Sequence, residues 1–185
     1  MKQQTKLSIL AFGLAVVLAG APAAAQTGRG GSYVGPPVSL CPTVAVSGVE
    51  KPADMGRRSF SATRSADLIF HVLFDRSLEE EHVVTLKIFT PHGHLYRQLD
   101  VPLAPAKGEK PAGARRLPGY PYPVPVRTPL AVTVGGQSYE SVDVSFPVAG
   151  SAIVTSSLYG RWKVELFLDG AARPCGEPTV FDLAQ

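Results

Sequence analysis

The decapeptide RWKVELFLDG, residues 161–170, places Trp162, Val164, Leu166 and Leu168 in alternation with Arg161, Lys163, Glu165 and Asp169; only Phe167 breaks the polar row. A period of two belongs to a strand with one face buried and the other largely wet. Asp169-Gly170 closes the stretch with a dipeptide that tolerates the positive φ angles of a tight turn. The same texture recurs on both sides. TVAVSGV (43–49), LIFHVLF (68–74), HVVTLKIF (82–89) and HLYRQLDV (94–101) precede it. So do PLAVTV (129–134) and SYESVDVSF (138–146), and TVFDL (179–183) follows. All are short, rich in β-branched or aromatic residues and bounded by Pro, Gly, Ser or Asp.

Helical spacing is nowhere sustained. Gly135-Gly136 reads as a hairpin turn and Thr90-Pro91-His92-Gly93 as a type I turn followed by a glycine. Ser77-Leu78-Glu79-Glu80 matches a capping box, which predicts one helical turn between two strands. Seven or eight short strands with frequent turns predict an all-β chain, an antiparallel two-sheet sandwich, with a small barrel as the alternative.

LYGRWKVELFLDG (158–170) with the short final strand resembles the closing hairpin of immunoglobulin-like and fibronectin-type-III-like domains of exported bacterial proteins. There a glycine, an aromatic residue and alternating apolar positions lead into an Asp-Gly turn. The resemblance covers the last strands closely and the rest by strand count. It implies an immunoglobulin-like fold and, being shared by many functions, implies no activity.

The first 25 residues read as an address. Lys2 and Lys6 start it, Leu7 to Leu18 is an apolar run, and Ala23-Ala24-Ala25 supplies the small-residue site, so cleavage is expected near Ala25. The run falls short of the roughly 20 apolar residues that span a bilayer, and no later stretch is longer. The organisation expected is a signal peptide (1–25), a flexible N-terminal segment (26–40) and one β-sandwich domain (41–185) containing a long proline-rich connection (102–129). The location expected is periplasmic or secreted.

Loss of Lys2 and Lys6 leaves sixteen basic against fifteen acidic residues, a balance of +1. That argues against a polyanion-binding surface, and the pairs Arg57-Arg58 and Arg115-Arg116 read as solvated loop charges rather than a nucleic-acid patch. Asparagine is absent, which excludes N-linked glycosylation. Cys41 and Cys175 are the two cysteines, and in an oxidising compartment an even count favours a disulfide. Placed just before the first and last strands, this bond would tie termini rather than sheets.

Motifs of chemistry are missing: no Gly-x-Ser-x-Gly elbow, Walker loop, His-Glu-x-x-His, Cys-x-x-Cys or acidic calcium loop. No catalytic residue or cofactor site is assigned. His71, inside an apolar strand, reads as a satisfied core histidine, and His82, after three glutamates, as part of a solvated turn. His92 and His94 lie two apart at a turn and are the candidates for copper or zinc, although two ligands do not close a site.

From Pro102 to Pro129 the chain carries eight of its 17 prolines, in a connection far longer than ordinary ones. GYPYPVPVRTP (119–129) is expected to be extended. Tyr120 and Tyr122 either pack as a strap across the fold or dock a partner's groove; as a strap, Tyr122 is the ring expected to pack. The sequence thus points to a non-catalytic exported binding or accessory module of the bacterial envelope, meeting an envelope or extracellular protein. A periplasmic copper or zinc carrier is the second reading and an enzyme the third.

Overall fold

The computed structural model describes residues 40–48, 55, 57–105 and 113–185. The expected signal peptide, all but Leu40 of the segment 26–40, and residues 106–112 of the proline-rich connection lie outside the described residues. In chain order the elements are β1 (Thr43–Gly48), β2 (Ser59–Ser61), β3 (Asp67–Phe74), β4 (His82–Phe89), β5 (Leu95–Leu103), β6 (Ala114–Arg115), β7 (Val124–Pro125), β8 (Leu130–Val134), β9 (Gln137–Pro147), α1 (Ala152–Thr155), β10 (Gly160–Leu168) and β11 (Thr179–Ala184). Every strand expected from the period-two stretches is present. Among the described residues the chain is predominantly β, its named strands pairing antiparallel except β2 with β11, and Leu103 and Arg127 form an isolated parallel bridge.

Four strands in the order β1-β3-β9-β8 form one sheet, five in the order β2-β11-β10-β4-β5 a second, and β6-β7 a small ribbon. Alternation sends Leu68, Phe70, Val72 and Phe74 of β3 and Trp162, Val164, Leu166 and Leu168 of β10 into one core cluster. Aromatic rings from both sheets meet there. Phe146 of β9 lies 6.0 Å from Trp162 of β10, Phe70 of β3 lies 5.9 Å from Phe181 of β11, and Tyr96 of β5 is edge-on to both Phe146 and Trp162. The Trp162 indole N–H donates to the Leu158 carbonyl at 3.0 Å, so the one polar atom of this fully buried side chain is satisfied. Phe167, the residue that breaks the alternation of β10, lies on the opposite face with the Lys87 ammonium 4.4 Å from its ring centroid.

The turns follow the dipeptides. Gly135 and Gly136 have φ of 57° and 83° and join β8 to β9. In the β4–β5 turn the Gly93 N–H donates to the Thr90 carbonyl at 2.9 Å, and Gly93 takes φ 81°. Asp169 and Gly170 also turn with positive φ, but β11 begins only at Thr179, and the intervening residues carry Cys175.

One local expectation fails. Ser77–Glu80 makes no helical turn: the Ser77 hydroxyl and the Leu78 N–H both donate to the carboxylate of Glu140 on β9, and Leu78 is buried in the core. The long-range carboxylate and the burial of Leu78 override the local cap. SAIVT (151–155) contains α1, capped by the Ser151 hydroxyl accepting from the Ile153 N–H.

The Cys41–Cys175 disulfide is present, with Cα atoms 5.2 Å apart. Its role differs from the expectation. Cys41 leads into β1 of the four-stranded sheet and Cys175 into β11 of the five-stranded sheet, so the bond ties one sheet to the other. The Thr179 hydroxyl, donating to the Val44 carbonyl at 3.0 Å, makes a second link beside it.

Candidate functional site

The proline-rich connection is fastened at several points. Past Leu103, the Arg127 N–H donates to the Pro102 carbonyl and the Ala104 N–H to the Arg127 carbonyl, at 2.9 and 3.0 Å. The β6–β7 ribbon pairs Arg115 with Val124 and Ala114 with Pro125. Between the two ribbon strands Leu117 is buried, and the Tyr120 N–H turns back to its carbonyl around Gly119, whose φ is 82°. The Tyr120 hydroxyl accepts from the Asp100 N–H at 2.9 Å. Burial raises the Tyr120 phenol above its ordinary value; the Asp100 N–H donor works against that rise and the Asp100 carboxylate adds to it.

Tyr122 is 78 % exposed. The sequence expectation that Tyr122 is the packed ring is therefore corrected: Tyr120 is partly buried and hydrogen-bonded to β5, and Tyr122 stands in solvent. The segment is not extended throughout as expected: the chain turns at Pro118–Gly119 and bends at Pro121–Tyr122 before β7 begins at Val124.

Under this connection lies a cleft of about 380 Å³ lined in part by His82, Asp100, Arg115, Leu117 and Asp169. His82 departs from its reading as a turn residue. The glutamates before it are exposed, but His82 itself is buried, and its Nδ1 lies 2.8 Å from Asp169 Oδ2. The other carboxylate oxygen of Asp169 accepts from the Val83 N–H at 2.8 Å. As a carboxylate only accepts, His82 carries a proton on Nδ1. The pair fastens the start of β4 to the turn after β10, at the floor of the cleft.

His92 and His94 are exposed at the β4–β5 turn. Among the described residues no group of three His, Cys, Asp or Glu side chains gathers in a way that could hold a metal ion. His71 is buried and hydrogen-bonded, but it is not the core histidine expected: it faces away from the core cluster, with Ser47 and Asp143 on the other side of the four-stranded sheet. Among the described residues no helix is long and apolar enough to cross a membrane.

Compared with known protein families, curated proteins and solved structures, the chain matches none.

Proposed function

We propose that this chain is an exported binding or accessory module of the bacterial envelope, built as an immunoglobulin-like two-sheet sandwich, and that it meets a protein partner through Tyr122. The observation carrying this reading is an aromatic ring 78 % exposed on a segment whose neighbours are pinned by Leu117, Tyr120 and the β6–β7 ribbon. A ring on a frame already ordered loses little entropy on docking, and tyrosine supplies both apolar area and a hydroxyl. The immunoglobulin-like reading is supported by the two sheets sharing one aromatic core and by the closing β10–β11 pair. Export is supported by the disulfide, which persists in oxidising compartments. A mature balance of +1 supports a protein partner over nucleic acid.

The test is site-specific photo-crosslinking in cells. A benzophenone amino acid at position 122 is expected to give one discrete protein adduct, and the same group at Val180, an exposed position on β11, is expected to give none. No adduct at 122, or equal adducts at both positions, removes the reading.

A further inference from the structure

On the outer face of the four-stranded sheet three adjacent strands bring together Ser47 of β1, His71 of β3 and Asp143 of β9. Ser47 Oγ is 2.7 Å from His71 Nε2, and His71 Nδ1 is 2.7 Å from Asp143 Oδ1. The same carboxylate oxygen also accepts from the Ser141 hydroxyl at 3.2 Å. The alternation that sends Val46, Val72 and Val142 into the core turns all three of these side chains to the other face. Because Asp143 only accepts, Nδ1 carries the imidazole proton, and Nε2 is left as the acceptor for the Ser47 hydroxyl. A hydroxyl held on the basic nitrogen of an imidazole, with the ring oriented by a carboxylate, has the roles of a nucleophile, its base and the orienting group.

A fourth element of such a site is a donor for the developing oxyanion, and β1 supplies it. This strand is the edge of its sheet, so alternate N–H groups point away from β3. The Val44 carbonyl takes its bond from Thr179, off that edge. On the far side of β3, the Ala66 carbonyl accepts from Val148 and Ala149, just past β9. Both observations set the same alternation: Thr43, Ala45 and Ser47 present their backbone to β3, while Val44, Val46 and Gly48 present theirs outward. The Gly48 N–H, next in chain to the Ser47 nucleophile, thus faces off the edge.

We propose that Ser47, His71 and Asp143, with the Gly48 N–H, form an acyl-transfer site that hydrolyses small carboxylic esters. This activity goes beyond the partner surface at Tyr122 and does not depend on it. Ser47 Oγ forms a bond to the ester carbonyl carbon as its proton passes to His71 Nε2, and the oxyanion turns to the Gly48 N–H. Collapse breaks the bond to the alkoxy oxygen, which leaves as the alcohol with the proton from Nε2. Water, deprotonated by the same nitrogen, then releases the acid and restores Ser47. Asp143 acts as a positioning residue. Ser47 is 2 % exposed, so labelling by a reagent is also the measure of its access.

The test uses the oxidised mature protein with diisopropyl fluorophosphate and with p-nitrophenyl acetate. One phosphoryl adduct per chain on the peptide holding Ser47 is expected, together with nitrophenolate release that the adduct abolishes. Ser47→Ala is expected to take no label there, and Asp143→Asn to label at least on the order of 10²-fold more slowly, as the ring loses its tautomer. The Asp143 side chain is 62 % exposed, so that variant keeps the fold even if Ser47→Ala does not. No adduct on Ser47 in the parent protein, or equal labelling of the parent and Asp143→Asn, overturns the proposal and leaves the three residues as a sheet clamp.

Discussion

Removing the Tyr120 hydroxyl strands the Asp100 N–H that it accepts, and an orphaned, partly buried donor costs about 1 kcal/mol. Tyr120→Phe is therefore expected to lower stability by that amount in urea unfolding at neutral pH. Tyr122→Ala, at an exposed position, is expected to stay within about 0.5 kcal/mol of the parent. A large loss at Tyr122 would mean the ring packs after all. The raised Tyr120 value adds a pH dependence whose sign is fixed. The folded chain holds the phenol proton more tightly than the unfolded chain does, so this contribution is whole below pH 10.0 and is lost as pH rises through the higher folded value. Stability measured from pH 9 to 11 is expected to fall more steeply in the parent than in Tyr120→Phe; parallel curves would contradict it. Little of this was legible in the sequence. Composition marked Tyr120 and Tyr122 as a pair, but which ring finds a donor depends on β5 lying beneath the connection. In the same way Ser47, His71 and Asp143 lie 24 and 72 residues apart, and only strand pairing makes them neighbours.

Strand identity, by contrast, was written in the alternation itself, because a period of two with one buried face admits few other conformations. The eight strands read from it all form, whereas β2, only three residues long, carries too short a pattern to be seen and owes its place to parallel pairing with β11. Ser77–Glu80 shows the limit of local signals, since a carboxylate from β9 outcompetes the cap it spells. The entry to β10 depends on a glycine. Gly160 takes φ 126°, and a Cβ there would come within 3.2 Å of Pro91 in the β4–β5 turn. Gly160→Ala must either strain the backbone or push the hairpin away, and the expected loss is about 1–3 kcal/mol. Urea unfolding of the variant is the measurement, and a midpoint equal to the parent's would show that the turn yields freely.

Across the whole molecule, the two sheets are joined by an apolar core and by one covalent bond placed where β1 and β11 begin. Reading that bond as a tie between termini rested on the cysteines flanking the first and last strands; because β1 and β11 belong to different sheets, the same two residues hold the sheets together. The loop it closes spans 134 residues. Restricting so long a loop in the unfolded chain contributes up to about 5 kcal/mol in the chain-entropy treatment, with 2–4 kcal/mol the usual yield. The rest of the interface is the aromatic core, in which Phe70 and Phe146 touch Phe181, Trp162 and Tyr96 without help from the cysteines. Replacing Cys41 and Cys175 together by serine is therefore expected to lower stability by about 2–5 kcal/mol while the near-ultraviolet circular dichroism of the buried Trp162 persists at neutral pH and 25 °C. If that signal vanishes in the double variant, the core alone cannot hold the sheets and the bond is a condition of folding; if stability is unchanged, the unfolded chain gains nothing from its release and the entropic account of this bond is wrong.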